Sequence, residues 1–166
     1  CLEFDAADDF INAGSDSSID NIFDSGGAIA AWIYPQTMGE NNIGYIINKA
    51  SSTTPDDGFA FFLYNTGGVS NALGFEQAFD TQAGSWITQD NSMATNEWQH
   101  VVVVYDNDSD ANVPTIYING IEQELTEVFA PSGTRETDAA QTAVIGNNST
   151  SSQTRTFDGY IDELKL

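Results

Sequence analysis

The fold is decided by residues 98–106, WQHVVVVYD, together with residues 116–120, IYING. Both stretches are rich in β-branched and aromatic residues, which fit the pleated, half-buried surface of a strand. Asn119 and Gly120 form a residue pair that favours the two-residue turn of a β-hairpin. Residues 116–120 therefore predict a strand that ends in a tight hairpin. The four consecutive valines predict, in addition, a strand that is covered on both faces.

Similar short runs recur along the chain between clusters of Asn, Asp, Gly and Ser. No segment shows a helical repeat of more than two turns, and residues 120–130 fit a turn of helix as well as a strand. Many short strands with turn signals between them predict an all-β, antiparallel sandwich. Further strands are expected at residues 28–34, 45–47, 58–64, 73–75, 85–88, 114–118, 142–146 and 159–166.

The length of 166 residues predicts a single domain that spans residues 1–166. The chain begins with Cys1, and Leu2 and Phe4 already have the character of strand residues. We therefore expect a piece of a longer protein or a processed form. Cys1 is the single cysteine, so an internal disulfide is excluded, and one cysteine with one histidine cannot build a zinc cage.

The charge is strongly negative, with 25 acidic against 4 basic residues and a net charge of -21. Such a surface repels phosphate backbones and anionic lipids, so neither nucleic acid nor membrane is an expected partner. The apolar runs are also shorter than the roughly 20 residues of a membrane-spanning helix. Two compatible interpretations remain, a solvated acidic shell and a set of carboxylates that collects calcium.

An ordered set of small motifs covers essentially the whole chain: LEFD at residues 2–5, AWIYP at 31–35, WQHV at 98–101, YING at 117–120 and FDGYIDEL at 157–164. In this order they resemble the laminin-G-like, concanavalin A-like jelly-roll family. One departure is the Ala6-Ala7 pair, where the family often has a glycine. The resemblance implies a two-sheet antiparallel sandwich whose first and last strands are adjacent.

The resemblance also implies a calcium ion where the first and last strands meet. The matching acids are Asp162 and Asp9, and a backbone carbonyl near Gly27 is the expected third ligand. Calcium accepts this mixture of carboxylate and carbonyl oxygens. In the alternative interpretation, Asp162 only accepts a hydrogen bond from neighbouring backbone.

Aromatic side chains near loops are candidates for stacking on the apolar faces of sugar rings. Trp86, between small and polar residues, is the first candidate, and Tyr64, before the turn at residues 65–68, is the second. Core packing is the alternative for both. Trp32 and Trp98 lie within predicted strands, so we expect them in the core.

Catalysis is not expected. The only histidine, His100, lies in a strand without a nucleophile signature, and the resemblance makes it a framework position. Glycosidases use two acids that flank the scissile bond. Asp162 and Glu163 are adjacent in a strand and should point to opposite faces, so they cannot share a cleft.

Two functions from different classes remain. The first is a glycan-binding module of a larger protein that works extracellularly or at a cell or virion surface. The second is a structural or adhesive domain that contacts other protein subunits. An exposed aromatic cleft would favour the first. An extended protein interface, or Cys1 paired with another chain, would favour the second. The resemblance favours glycan binding slightly.

Overall fold

The computed structural model describes residues 1–51, 56–148 and 154–166. These residues form thirteen strands and two short 3₁₀ helices, Ser17–Ile19 and Glu40–Asn42. The strands are β1 (Leu2–Asp5), β2 (Ile11–Gly14), β3 (Gly27–Pro35), β4 (Ile43–Lys49), β5 (Phe59–Tyr64), β6 (Ala72–Gln77), β7 (Gly84–Thr88), β8 (Gln99–Tyr105), β9 (Thr115–Ile118), β10 (Ile121–Glu122), β11 (Leu125–Phe129), β12 (Ala143–Ile145) and β13 (Asp158–Lys165).

The strands build two antiparallel sheets that pack face to face. One sheet has six strands in the order β1-β13-β3-β8-β9-β10, and the other has seven in the order β11-β7-β6-β5-β4-β12-β2. This confirms the predicted all-β, two-sheet sandwich. The first strand pairs with the last, as the family resemblance implied, with Leu2 opposite Ile161. No helix within the described ranges is long and apolar enough to cross a membrane.

The predicted hairpin joins β9 to β10. Ile118 lies opposite Ile121, and the turn between them has φ of 52° at Asn119 and 77° at Gly120. Positive φ at both central residues is the requirement of a type I′ turn, which Asn-Gly fulfils at low cost. The segment that could have been helical, residues 120–130, contains β10 and β11 instead.

Strand β8 is covered on one face only, which corrects the expectation from its four valines. Val101 and Val103 are fully buried between the sheets, Val102 is half-buried and Val104 is 42% exposed. Successive side chains of a strand point to opposite faces, so an unbroken apolar run does not by itself show that both faces are covered.

Aromatic rings from both sheets meet in the centre of the core. Tyr105 of the six-stranded sheet lies 5.5 Å from Phe75 and 5.4 Å from Trp86, both of the seven-stranded sheet. Phe23, from the segment before β3, packs edge-on against Phe75 at 5.2 Å. Edge-to-face contacts at these distances add to the stabilisation from buried area. The cluster therefore fixes how the two sheets face each other.

A buried ion cluster anchors the loops at one end of the sandwich. The Lys49 ammonium, 1% exposed, lies 2.7 Å from the Asp138 carboxylate and 2.9 Å from the Asp20 carboxylate. It also donates to the Asp138 carbonyl oxygen at 2.6 Å. The Asn21 backbone amide donates to the Asp138 carboxylate at 2.8 Å. These bonds compensate the cost of removing the charges from water, and they tie β4 to two distant loops.

We expect Lys49→Met to lower the free energy of unfolding by about 3–5 kcal/mol, because the Asp138 carboxylate stays buried without its cation. The matched control is Lys165→Met, which removes the same charge from a side chain that is 71% exposed; its expected effect is within about 0.5 kcal/mol. Urea denaturation at neutral pH measures both. Equal midpoints for the two variants would contradict a structural role for the cluster.

Candidate functional site

Five rings share the outer face of the six-stranded sheet, and we call them the aromatic face: Trp32, Tyr34, Trp98, His100 and Tyr160. Ile29, Ala31 and Ile33 of β3 point into the core, so the pleat turns Trp32 and Tyr34 outward. The strand register then places His100 opposite Trp32 and Tyr160 opposite Tyr34. Three neighbouring strands thus bring the rings together.

The rings contact one another and stay accessible. Tyr34 lies 5.7 Å from Trp98 and 5.8 Å from Tyr160, and Trp98 lies 6.4 Å from Tyr160. Trp32 packs against His100 at 5.2 Å. Trp32 is nevertheless 40% exposed and Trp98 43% exposed. A large area of aromatic surface is therefore open to a ligand or a partner.

The expectation that Trp32 and Trp98 belong to the core is wrong. Trp32 alternates with the buried residues of β3 and so lies on the opposite face of the sheet. Trp98 directly precedes β8, in which Gln99 is buried. The Gln99 side-chain oxygen accepts a hydrogen bond from the Ala94 backbone amide at 2.9 Å. Trp98 lies against Tyr34 outside the sandwich.

Two carboxylates lie among these rings. Glu3 is opposite Tyr160 in the register and accepts a hydrogen bond from its hydroxyl at 3.1 Å. That bond to a negative group raises the pKa of Tyr160. Asp162 is opposite Trp32 and lies 3.4 Å from the N-terminal ammonium of Cys1. The aromatic face is therefore negatively charged along its β1–β13 side.

The structure places Trp86 in the core, which corrects its assignment as a sugar-stacking residue. Its side chain is fully buried, and its indole Nε1 donates to the Glu127 carboxylate at 3.3 Å. A ring without accessible surface cannot stack on a ligand. The polar residues around Trp86 in the sequence belong to a strand end and not to an open loop.

Tyr64 lies on the outer face of the seven-stranded sheet and is half-buried. It packs edge-on against Phe62 at 6.2 Å, and Tyr45 continues the cluster. Near these rings, burial raises the pKa of Glu76 to about 7, although a hydrogen bond from Ser85 at 3.1 Å acts in the opposite direction. A ligand role for Tyr64 stays a prediction.

The residues predicted to bind calcium are not brought together. Asp162 lies opposite Trp32, five residues along β3 from Gly27, which corresponds to about 16 Å. The Asp9 carboxylate accepts from the Asp5 amide at 3.2 Å. Asp5 pairs with Asp158, about 13 Å along β13 from Asp162. The strand register therefore separates the three expected ligands, and they do not fit one ion.

Asp9 instead joins Asp5 and Asp8 in a group whose carboxylate oxygens lie within 4.8 Å of one another. All three side chains are exposed. Calcium usually takes six to eight oxygen ligands, and exposed acidic groups of this kind are common without an ion. Calcium binding by this chain stays a prediction.

Two antiparallel sheets with the first and last strands side by side define a concanavalin A-like β-sandwich. The sequence matches the family described as the concanavalin A-like lectin/glucanases superfamily over residues 5–166. The chain belongs to that superfamily. No curated protein sequence matches the chain.

Solved structures with the same fold include the CBM40 module of the Ruminococcus gnavus IT-sialidase. The likeness has a TM-score of 0.59 at 13% identity and covers 99% of this chain and 89% of that one. The same module bound to alpha2,3 sialyllactose gives a TM-score of 0.60 at 13% identity, with 98% and 88% covered. At this identity the likeness establishes the fold.

Truncation of Trp86 should destabilise the fold much more than truncation of Trp98. We expect Trp86→Ala to lower the free energy of unfolding by about 3–5 kcal/mol, because it empties a buried aromatic site. Trp98→Ala removes an exposed ring and should cost less than about 1 kcal/mol. Chemical denaturation of both variants beside the parent gives the comparison. Similar losses in the two variants would show that Trp98 is part of the core.

Glu76 should make stability depend on pH. Its pKa is about 7 in the folded chain against an ordinary value of 4.5, so the folded state binds more protons between these values. The contribution of Glu76 to the free energy of unfolding is complete below about pH 4.5 and is lost as pH rises through about 7. The free energy of unfolding of Glu76→Gln, relative to that of the parent, should therefore rise by about 1–3 kcal/mol from about pH 5 to pH 8.

The matched control for that titration is Glu124→Gln, which changes an exposed carboxylate. The free energy of unfolding of both variants is measured against the parent over the same pH range. A constant difference between Glu76→Gln and the parent at every pH would contradict the raised pKa.

Proposed function

We propose that this chain is a non-catalytic glycan-binding module that works outside the cytosol, and that the aromatic face is its contact surface. The observation that carries the proposal is the pair of exposed indoles, Trp32 at 40% and Trp98 at 43%, within a cluster of rings on one sheet face. Sugar rings have apolar faces that suit flat aromatic side chains, whose hydroxyl and imino groups also supply hydrogen bonds.

Further support comes from the family, whose description names lectins as well as glucanases. The Ruminococcus gnavus module of the same fold is described as bound to alpha2,3 sialyllactose. That ligand belongs to that protein. For this chain, the exposure and chemistry of the rings are the argument for a glycan.

The absence of catalysis in this proposal rests on the setting of the acids. Glycoside hydrolysis uses two carboxyl groups, and enzymes surround the acid with an environment that excludes bulk water. Glu3 and Asp162 are both exposed on an open sheet surface. Glu76 does have a raised pKa, but it lies on the seven-stranded sheet, away from the aromatic face.

A contact with another protein subunit is the second candidate function. Tryptophan and tyrosine are the residues most often found at the energetic centre of protein interfaces, and the aromatic face is a sheet surface that a flat partner could cover. Under this alternative the same rings would bind a protein and no glycan.

We expect Trp98→Ala to weaken glycan binding at least about tenfold, since stacked rings contribute on the order of 1 kcal/mol or more each. A glycan array identifies ligands, and calorimetry measures their affinity. Phe129→Ala is the matched control, because Phe129 is 54% exposed on the other sheet. Unchanged affinity in both Trp98→Ala and Trp32→Ala would move the binding surface elsewhere. Binding of no glycan at all would favour the protein contact.

A further inference from the structure

Two carboxylates of the aromatic face, Glu3 and Asp162, favour a positively charged ligand. Glu3 bonds Tyr160 at 3.1 Å, and Asp162 lies beside Trp32. Both carboxylates are exposed, so they can bind a ligand that lies on the neighbouring rings. An anionic sugar placed there would meet like charges, within a chain of net charge -21.

Three of the four basic side chains form contacts away from the aromatic face. Lys49 is buried in its ion cluster. Arg135 forms an ion pair with Asp24. Arg155 lies by the seven-stranded sheet, where its carbonyl oxygen accepts from the Tyr45 amide at 2.9 Å. None of these three can pair with an acidic ligand on the aromatic face.

The fourth basic side chain is Lys165, near the end of β13. It lies 3.4 Å from the Glu163 carboxylate and opposite Ala30 in the register. Ala30 is two residues along β3 from Trp32, about 7 Å away, and four residues from Tyr34, about 13 Å away. Recognition of a sugar carboxylate typically uses a cation in close, paired contact. Lys165 is paired with Glu163, so the two add no net positive charge beside Trp32, and no lysine or arginine among the described residues lies opposite Tyr34 in the strand register.

We infer that the glycan for this face is one with protonated amino groups, an inference that rests on the proposed glycan-binding function. An amino sugar offers an apolar ring face for stacking and an ammonium group for the carboxylates. Exposed indole rings also attract cations over their faces. Stacking, cation–π attraction and ion pairing therefore all favour the same class of ligand.

Asp162 is exposed and lies opposite Trp32 in the strand register. An ammonium group of a ligand that stacks on this ring can therefore approach the Asp162 carboxylate from the solvent. The acidic excess also disfavours a second copy of this chain as the occupant, because like charges repel.

The test compares two oligosaccharides with the same sugar backbone, a glucosamine hexamer with free amino groups and the fully N-acetylated hexamer, in which each amine is an uncharged amide. Both are measured by calorimetry at about pH 5.5 and low salt, where screening of the charges is weak. The glucosamine hexamer should bind at least about tenfold more tightly, as expected for charge-assisted hydrogen bonds. Sialyllactose should not bind. Equal or tighter binding of the acetylated hexamer, or binding of sialyllactose, would overturn the inference.

Matched double variants locate the charge effect. Glu3→Gln with Asp162→Asn should lower the ratio of the two affinities towards one, because the paired charge on the face is lost. Glu122→Gln with Glu124→Gln removes the same charge from exposed residues at the opposite edge of the sheet and should keep the preference. If both double variants lose it equally, the net charge of the protein and not the face selects the ligand.

Two further comparisons separate the possible failures. Hexalysine carries cations without sugar rings, and binding as tight as that of the glucosamine hexamer would overturn the inference in favour of charge alone. Trp98→Ala should weaken binding of both hexamers. If Trp98→Ala has no effect on either, the proposed function fails at this face. If the parent binds the two hexamers equally well and Trp98→Ala weakens both, the proposed function stands and only the choice of an amino sugar fails.

Discussion

The contact between Tyr105, Phe75 and Trp86 across the two sheets is the interaction on which the other features depend. It joins rings from opposite layers at 5.4–5.5 Å and so holds the inner faces of the two sheets against each other. The pleat leaves the alternate residues of each strand outside. Trp32 is exposed because Ile29, Ala31 and Ile33 occupy the inner face of β3.

Much of the fold follows from local patterns. Short β-branched and aromatic runs predict most strands, and Asn119-Gly120 predicts its hairpin because few other residue pairs adopt two positive φ angles easily. Local patterns do not predict the four-residue β2, because it has only one strongly apolar residue, Ile11. They do not predict the ion cluster around Lys49 either, since Asp20 and Asp138 are 29 and 89 residues away in the chain.

The candidate site was harder to predict because hydrophobicity does not specify which side of a sheet a residue occupies. For Trp32, the alternation with Ile29, Ala31 and Ile33 in the sequence indicates the outer face of the sheet. For Trp86 it was not, since the acceptor of its indole N–H, Glu127, comes from a strand 41 residues later. The expected calcium ligands failed for a related reason: their distances depend on strand register, which the motifs do not encode.

The negative charge of the molecule opposes self-association through its exposed rings. An uncovered aromatic surface normally favours association between copies of a protein. Here the chain has 21 more negative than positive charges, and Lys49 is buried in its ion cluster. Two copies that approach through their aromatic faces would bring Glu3 and Asp162 of one against those of the other. Repulsion at long range opposes that approach, and an electrically neutral or positive ligand meets no such barrier.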